Sequence, residues 1–248
     1  FEICNPLGAS KKKHKIIGLY AIFTNLPTWH RSQVEHIQLL ALIYEKDVKQ
    51  FGFAMVLKNL LQDLKKLEEG VNIQISCSEV KCLKGALVAV VGDNLGSHQI
   101  GGYNENFSLS GFFCRYCYIN KVNKNDGLTK ICERRTKNSY IYDVNMSLAT
   151  NGSYRGVKSD SVFNTLSFFH VANPGLPPCI AHDLFEGVVQ SDLILTLDQL
   201  VNAKEICFQE LNSTLKVLKF EGEKKVDIPL LKKSERLSGT AHQNMWLI

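Results

Sequence analysis

Residues 87–94 read LVAVVGDN, an apolar run followed by a Gly-Asp-Asn sequence. Five consecutive apolar residues of this kind are typical of a strand that is covered on both faces of a sheet. Asp93 stands just past the end of this predicted strand. A carboxylate in that position can hold Mg²⁺ against a phosphate, whereas the sequence Gly-Asp-Asn is also common in ordinary turns. Both interpretations of Asp93 stay open at this point.

Apolar runs upstream of this stretch predict the rest of a sheet. Residues 1–4, 16–24 and 37–44 are three further candidate strands, rich in β-branched and aromatic residues. They are followed by apolar residues at helical spacing between Asp47, a suitable N-cap, and Gly70, a suitable end. Three strands, a helix and a central strand that ends in a carboxylate are the order of the RNase H-like fold. We therefore expect an α/β fold with a mixed sheet and flanking helices.

The periodicity is lost in the middle of the chain, which divides the sequence into three parts. Residues 1–106 are the predicted RNase H-like core, and residues 107–160 are an insertion rich in aromatic and basic residues. Residues 161–248 are predicted to be helical and to complete the domain. Their helical patterns cover 162–169, 184–200 and 205–220.

The composition fits one large domain that is compatible with a polyanionic partner. The chain has 248 residues, a net charge of +5 and 45% hydrophobic residues, and its pI is near 8.7. No run approaches the roughly 20 apolar residues that span a bilayer, and the first residues lack the pattern of a signal peptide. We therefore expect an intracellular protein without a membrane partner. Its eight cysteines are expected to stay reduced, as metal ligands or buried thiols.

Cys114 and Cys117 form a Cys-x-x-Cys motif, a spacing that lets two thiolates bind one tetrahedral zinc ion from a tight turn. The alternative is two unconnected cysteines in an aromatic-rich loop. A redox role is less favoured, because no strand-to-helix context surrounds the motif. A zinc site needs two more ligands, and the downstream candidates are Cys132, His170, Cys179 and His182.

His182 and Glu186 are four residues apart at the start of a predicted helix, so they share one face of it. In a metal site, they would provide a zinc ligand and an additional acid. The alternative for Glu186 is an acidic first turn that the helix dipole favours.

Basic residues alternate with aromatic ones along the insertion, a pattern that can follow a DNA backbone and stack on unpaired bases. Solvated loop charges are the alternative. The candidate DNA-binding residues are Arg115, Lys121, Lys124, Arg134 and Arg135.

Several separated segments together resemble one family, the animal branch of the CACTA-type (En/Spm-like) transposases and the transposon-derived proteins related to them. The matching segments occur in the family's order and extend from the first residue to near Trp246. They read FEICNPLG at 1–8, NLP at 25–27, GDNLGSH at 92–98, FCRYC at 113–117, FHV at 169–171 and HDLFEG at 182–187.

The resemblance implies an RNase H-like catalytic core that cuts and rejoins DNA at transposon ends with acidic residues and Mg²⁺ or Mn²⁺. Asp93 then corresponds to the second catalytic acid and a magnesium ligand, and Glu186 is the candidate for the third acid. A nuclear protein that binds DNA and can form a homo-oligomer is expected. The zinc ligands that the resemblance suggests are Cys114 and Cys117, with His182 as their partner. Among the other downstream candidates, His170 is the fourth expected ligand.

Two departures from the family pattern bear on activity. The family has an acidic pair immediately before the Phe-Glu of its first motif, so the first metal-binding acid is not seen here, and Glu2 is the only nearby substitute. Cys179 stands where the family tends to have Asp. The favoured function is an incomplete transposase catalytic domain. The alternatives are a domesticated transposon product that binds DNA or protein through a zinc-stabilised fold without cleavage, and a zinc-dependent module unrelated to transposition.

Overall fold

A computed structural model describes residues 15–31, 33–107, 109–122, 131–217 and 230–232, together with the backbone of residues 2–4. The chain divides into two compact units, 1–177 and 178–248. The fold is mixed α/β, with two small antiparallel sheets and several helices. No helix in the described ranges is long and apolar enough to cross a membrane.

The first unit begins with a three-stranded antiparallel sheet. Its strands β1 (Glu2–Cys4), β2 (Ile16–Ala21) and β3 (Gln38–Tyr44) lie in the order β1-β2-β3. Ile17 of β2 pairs with Ile43 of β3, and both side chains are buried in the hydrophobic core. Burial of such apolar side chains is the main force that stabilises the sheet. The three strands predicted from the sequence are confirmed, although β2 ends earlier than predicted.

Two short elements connect β2 to β3: helix α1 (Thr28–Arg31) and a 3₁₀ helix at Val34–His36. The Arg31 side chain stabilises this connection, because its Nε donates a hydrogen bond to the carbonyl of Leu26 at 2.7 Å.

The predicted helix after β3 is in fact two consecutive helices, α2 (Glu45–Val56) and α3 (Lys58–Glu69). Helix α2 begins before Asp47, and Gly52 interrupts it with a φ of 74°. Helix α3 ends at Gly70, as predicted, where a φ of 121° favours glycine. The periodicity therefore predicts the helical region and its end, but not the break within it.

The prediction of a strand at residues 87–91 is wrong, because these residues form no regular secondary structure. A hairpin of β4 (Val71–Ser76) and β5 (Glu79–Leu83) precedes them instead. A strand needs a neighbouring strand to pair its backbone groups, but the Val90 amide donates to the Gly175 carbonyl, 2.8 Å away in a π-helix. The central strand of an RNase H-like sheet is therefore not confirmed.

Helix α4 (Asn94–Ile100) is short, and four of its seven residues are buried. It leads into a turn at Gly102, which has a φ of 67°. The Gly102 carbonyl accepts hydrogen bonds from the amides of Lys158, at 2.7 Å, and Ser159, at 3.3 Å. This turn therefore connects the end of α4 to a segment more than fifty residues further along the chain.

The predicted insertion at residues 107–160 contains a helix, α5 (Lys137–Thr150), that the sequence pattern does not indicate. Thr136 and Ser139 cap its start reciprocally. Two of its four buried residues are polar, so the helix lacks the apolar face by which buried helices are normally identified. The buried residues are Tyr140, Asp143, Val144 and Ser147.

The helical pattern at residues 162–169 produces only one turn of 3₁₀ helix, Val162–Thr165. A π-helix follows at Val171–Gly175. The Asn164 side chain connects the two, because its Oδ1 accepts from the Val171 amide at 2.9 Å.

Residues 180–217 of the second unit are mostly helical, as predicted. A π-helix at Ile180–Val189 continues directly into α6 (Gln190–Asn202), and α7 (Phe208–Val217) follows. Asn212 of α7 exchanges two hydrogen bonds with the backbone of Leu231, at 2.8 and 2.9 Å.

Candidate functional site

Asp93, the predicted catalytic acid, is the N-cap of helix α4. Its Oδ1 accepts a hydrogen bond from the Gly96 amide at 2.6 Å. Aspartate is a favoured residue at this position because its oxygen satisfies an amide that has no partner within the helix. An ionised carboxylate has about four acceptor sites on two oxygens. Capping the helix and binding a metal ion are therefore compatible roles for this side chain.

The Asp93 segment lies next to the Cys-x-x-Cys motif, although the two are about twenty residues apart in sequence. Arg115, between the two cysteines, donates from Nη1 to Oδ1 of Asn94 at 2.6 Å. The Arg115 side chain is buried, and its guanidinium stacks 4.5 Å from the ring centre of Tyr116. The structure therefore brings together two motifs that the sequence shows only as separate segments.

Two further contacts fix the Cys114–Cys117 turn. The Tyr116 hydroxyl donates to the carbonyl of Leu176 at 3.1 Å. The Nε of Arg135 donates to the carbonyl of Cys114, also at 3.1 Å. Cys117 additionally forms an isolated β-bridge with Arg134. The turn is thus held from both sides by residues distant in sequence.

The Cys114 sulfur is partly buried and accepts a hydrogen bond from the Tyr116 amide at 3.3 Å. Burial raises the pKa of the Cys114 thiol, and hydrogen bonds from the amides of Tyr116 and Cys117 oppose this effect. Amides that donate to sulfur stabilise the thiolate, the form that binds zinc. Two cysteines supply two of the four ligands that a tetrahedral zinc site needs. Among the described residues, no three His, Cys, Asp or Glu side chains come together as a metal-binding group.

The predicted DNA contacts of Arg115 and Arg135 do not fit the structure, because both side chains are buried. Arg135 forms an ion pair with Asp143 at 3.0 Å, in which the side chains are 1% and 0% exposed. A guanidinium enclosed in this way cannot reach a DNA backbone. Lys121 and Arg134 are exposed, and Lys124 lies outside the described residues.

His170, a predicted zinc ligand, is buried at the start of the π-helix Val171–Gly175. Its Nδ1 accepts a hydrogen bond from the Ala172 amide at 3.1 Å, and its ring stacks edge-on against Tyr140. Burial and the nearby Lys137 lower the pKa of His170 and favour the neutral ring. Since an amide can only donate, the proton of the neutral ring lies on Nε2. His170 therefore acts here as a helix cap, and zinc binding through Nδ1 would break that hydrogen bond.

His182 and Glu186 lie in the second unit, on the π-helix Ile180–Val189, and both are exposed. The Nδ1 of His182 is 3.1 Å from the sulfur of Cys179. Burial raises the pKa of Cys179, but hydrogen bonds from the His182 ring and from the amides of His182 and Ala181 outweigh it and lower the pKa below its usual value. His182 therefore has Cys179, three residues before it in the chain, as a partner.

Three residues shape this region in ways that the sequence patterns do not predict: Asn94, Tyr118 and Asp143. The Tyr118 hydroxyl donates to Oδ2 of Asp143 at 2.7 Å, and the Arg135 guanidinium lies 4.4 Å from the Tyr118 ring centre. Asn94 could have been suspected, because it follows Asp93 in the same motif. No local signal identifies Tyr118 or Asp143, since their partners come from distant parts of the chain.

Comparison of the chain with known protein families, with curated proteins and with solved structures finds no match.

Proposed function

We propose that this chain is the catalytic domain, in whole or in part, of a transposon-derived DNA transposase with an RNase H-like fold. In this proposal Asp93 binds Mg²⁺ or Mn²⁺ and takes part in metal-assisted cleavage and strand transfer at transposon ends. Glu186 is the proposed third acid. The protein acts in the nucleus on DNA, and a homo-oligomer is a further proposed assembly.

The observation that carries the proposal is the fixed position of Asp93. The carboxylate is held at the start of α4 by Gly96, and the neighbouring Asn94 is anchored by the buried Arg115. Metal-assisted catalysis depends on carboxylates that are held in place before substrate binds. This rigid setting supports a catalytic role for Asp93, in addition to the resemblance of its motif.

Zinc has a structural part in the proposal, with Cys114 and Cys117 among its ligands. The amide that donates to Cys114 and the contacts that fix the turn support this assignment. A zinc ion held there would stabilise the turn that carries Arg115, and with it the setting of Asp93.

Asp93→Asn tests the catalytic role separately from the structural one. Asparagine caps helices about as well as aspartate, so the free energy of unfolding should change by less than about 0.5 kcal/mol. The loss of the negative charge should reduce the rate of metal-dependent nicking of plasmid DNA by at least about 100-fold. Removing one group that stabilises charge in a transition state typically reduces catalytic rates by a factor of this size. Nicking and urea unfolding are measured in the longest natural protein that contains this chain.

The matched control for this experiment is Asp63→Asn, which removes an exposed carboxylate on α3 paired with Lys66. It should leave nicking unchanged. If Asp93→Asn and Asp63→Asn nick DNA equally fast, Asp93 is only a helix cap and the catalytic proposal fails.

A second candidate function is a domesticated transposon product that binds DNA or protein without cutting. The observation that favours it is that the Asp93 carboxylate already has a complete structural explanation as the N-cap of α4. Under this function, the unsubstituted protein shows no metal-dependent nicking but still binds DNA or a protein partner.

DNA binding is expected to depend on Lys121 and Arg134, two of the exposed cations of the insertion. Replacing both with alanine should weaken DNA binding and reduce the slope of log affinity against log salt by about two, roughly one for each phosphate contact. Fluorescence anisotropy across a salt series measures this slope. The control is the alanine double variant of Lys58 and Lys65, which are exposed on α3. An equal change in both double variants would mean that the insertion is not the DNA-binding surface.

A further inference from the structure

We infer that Cys179 and His182 together bind a divalent metal ion of the zinc class. Their donor atoms, Sγ and Nδ1, lie 3.1 Å apart and face each other. Thiolate and imidazole are the ligands that zinc prefers, and cobalt(II) and nickel(II) also accept this donor set. The inference concerns this pair alone and does not depend on DNA cleavage.

The distance between the two donor atoms suits a shared metal ion. Zinc–sulfur bonds of about 2.3 Å and zinc–nitrogen bonds of about 2.0 Å, at a tetrahedral angle, place the two donors roughly 3.5 Å apart. The observed separation is shorter by only a few tenths of an ångström. A small rotation of either side chain therefore admits the ion.

The backbone holds both ligands in one short segment. Cys179 is the N-cap of the π-helix, and His182 lies in its first turn. The Cys179 amide donates to Oδ2 of Asp183 at 2.8 Å, which fixes the start of this turn. Less conformational freedom is therefore lost when the metal binds.

The pair is accessible from solvent, because His182 is exposed and Cys179 is partly exposed. Two protein ligands leave coordination positions open, and water fills them. Such an open site resembles catalytic zinc sites in having free positions, whereas structural zinc sites are closed by four protein ligands.

Site-specific alkylation tests the inference on the full chain. Each cysteine is labelled with iodoacetamide in the presence and absence of Zn²⁺, and its labelling rate is measured by mass spectrometry. Metal-bound thiolate is shielded, so at a zinc concentration about ten times the dissociation constant, Cys179 should react about tenfold more slowly. Cys207, an exposed cysteine of the same unit, is the internal control and should react equally fast in both conditions.

The variant His182→Ala should remove the zinc protection of Cys179, and His182→Asn is a second variant in case the first disturbs the helix. Circular dichroism checks that both variants are folded. If zinc leaves the labelling rate of Cys179 unchanged in the unsubstituted protein, or protects Cys179 equally in folded His182 variants, the inference is wrong. Neither result affects the Asp93 proposal, which the nicking assay tests separately.

Discussion

Gly102→Ala is expected to destabilise the protein by about 2 to 6 kcal/mol, which combines about 1 to 3 kcal/mol of backbone strain with a similar cost of overpacking. Gly102 has a φ of 67°, a conformation that residues with a Cβ rarely adopt. An added Cβ would also collide with the carbonyl oxygen of Ser159. Because that oxygen belongs to the backbone, it cannot rotate away. Urea unfolding followed by circular dichroism measures the effect.

Substitutions at two other glycines distinguish backbone strain from overpacking as the cause of the lower stability of Gly102→Ala. Gly52 also has a positive φ, of 74°, but no atom lies within 4 Å of an added Cβ. Gly52→Ala should therefore lower the free energy of unfolding through backbone strain alone, without overpacking. Gly111 has neither feature, so Gly111→Ala should be close to neutral. If Gly102→Ala costs no more than Gly111→Ala, the turn after α4 does not have the described conformation.

Asp143→Ala is the second substitution with a large expected effect. Asp143 is fully buried and forms the ion pair with Arg135 at 3.0 Å. Removing the carboxylate leaves a buried guanidinium without its counter-charge, which typically costs about 3 to 5 kcal/mol. It also removes the hydrogen bond from the Tyr118 hydroxyl. The free energy of unfolding of an ordinary domain is only about 5 to 15 kcal/mol, so the variant should unfold at a clearly lower urea concentration.

The matched control for Asp143→Ala is Glu105→Ala. Glu105 pairs with Lys158 at 2.7 Å, but these side chains are 39% and 44% exposed. Exposed pairs contribute about 0 to 1 kcal/mol because water screens them. A double variant, Arg135→Met with Asp143→Leu, should recover much of the loss, since it leaves no unpaired charge in the core. Equal destabilisation by Asp143→Ala and Glu105→Ala would contradict the buried ion pair.

The ion pair also matters for the candidate site. Arg135 donates to Asp143 and to the carbonyl of Cys114, so it connects helix α5 to the cysteine turn. Arg115 then connects this turn to the segment of Asp93. Loss of Asp143 is therefore expected to loosen the Cys114–Cys117 turn as well as the core, and with it the zinc site that we propose there. Weaker zinc retention by Asp143→Ala than by Glu105→Ala would be the measurable sign.

Local sequence patterns predict those parts of the fold that depend on neighbouring residues. The strands β1 to β3, the end of α3 at Gly70 and the helices of the second unit are confirmed, because apolar periodicity and glycine conformation act over a few residues. The same patterns identify Asp93 and the Cys114–Cys117 turn as places of interest. They do not show that Arg115 joins the two.

The tertiary structure decides the features that depend on distant partners. Residues 87–91 are apolar enough for a central strand, yet the Val90 amide pairs with Gly175. Arg135 lies in a segment whose basic and aromatic residues predict contact with DNA, yet its ion pair with Asp143 holds its side chain in the core. A side chain's charge and apolar area are determined by the sequence alone. Contacts between distant segments form only when those segments pack together. These contacts decide whether a charged side chain faces solvent or a buried counter-charge, and whether a backbone amide pairs with a strand or with a turn.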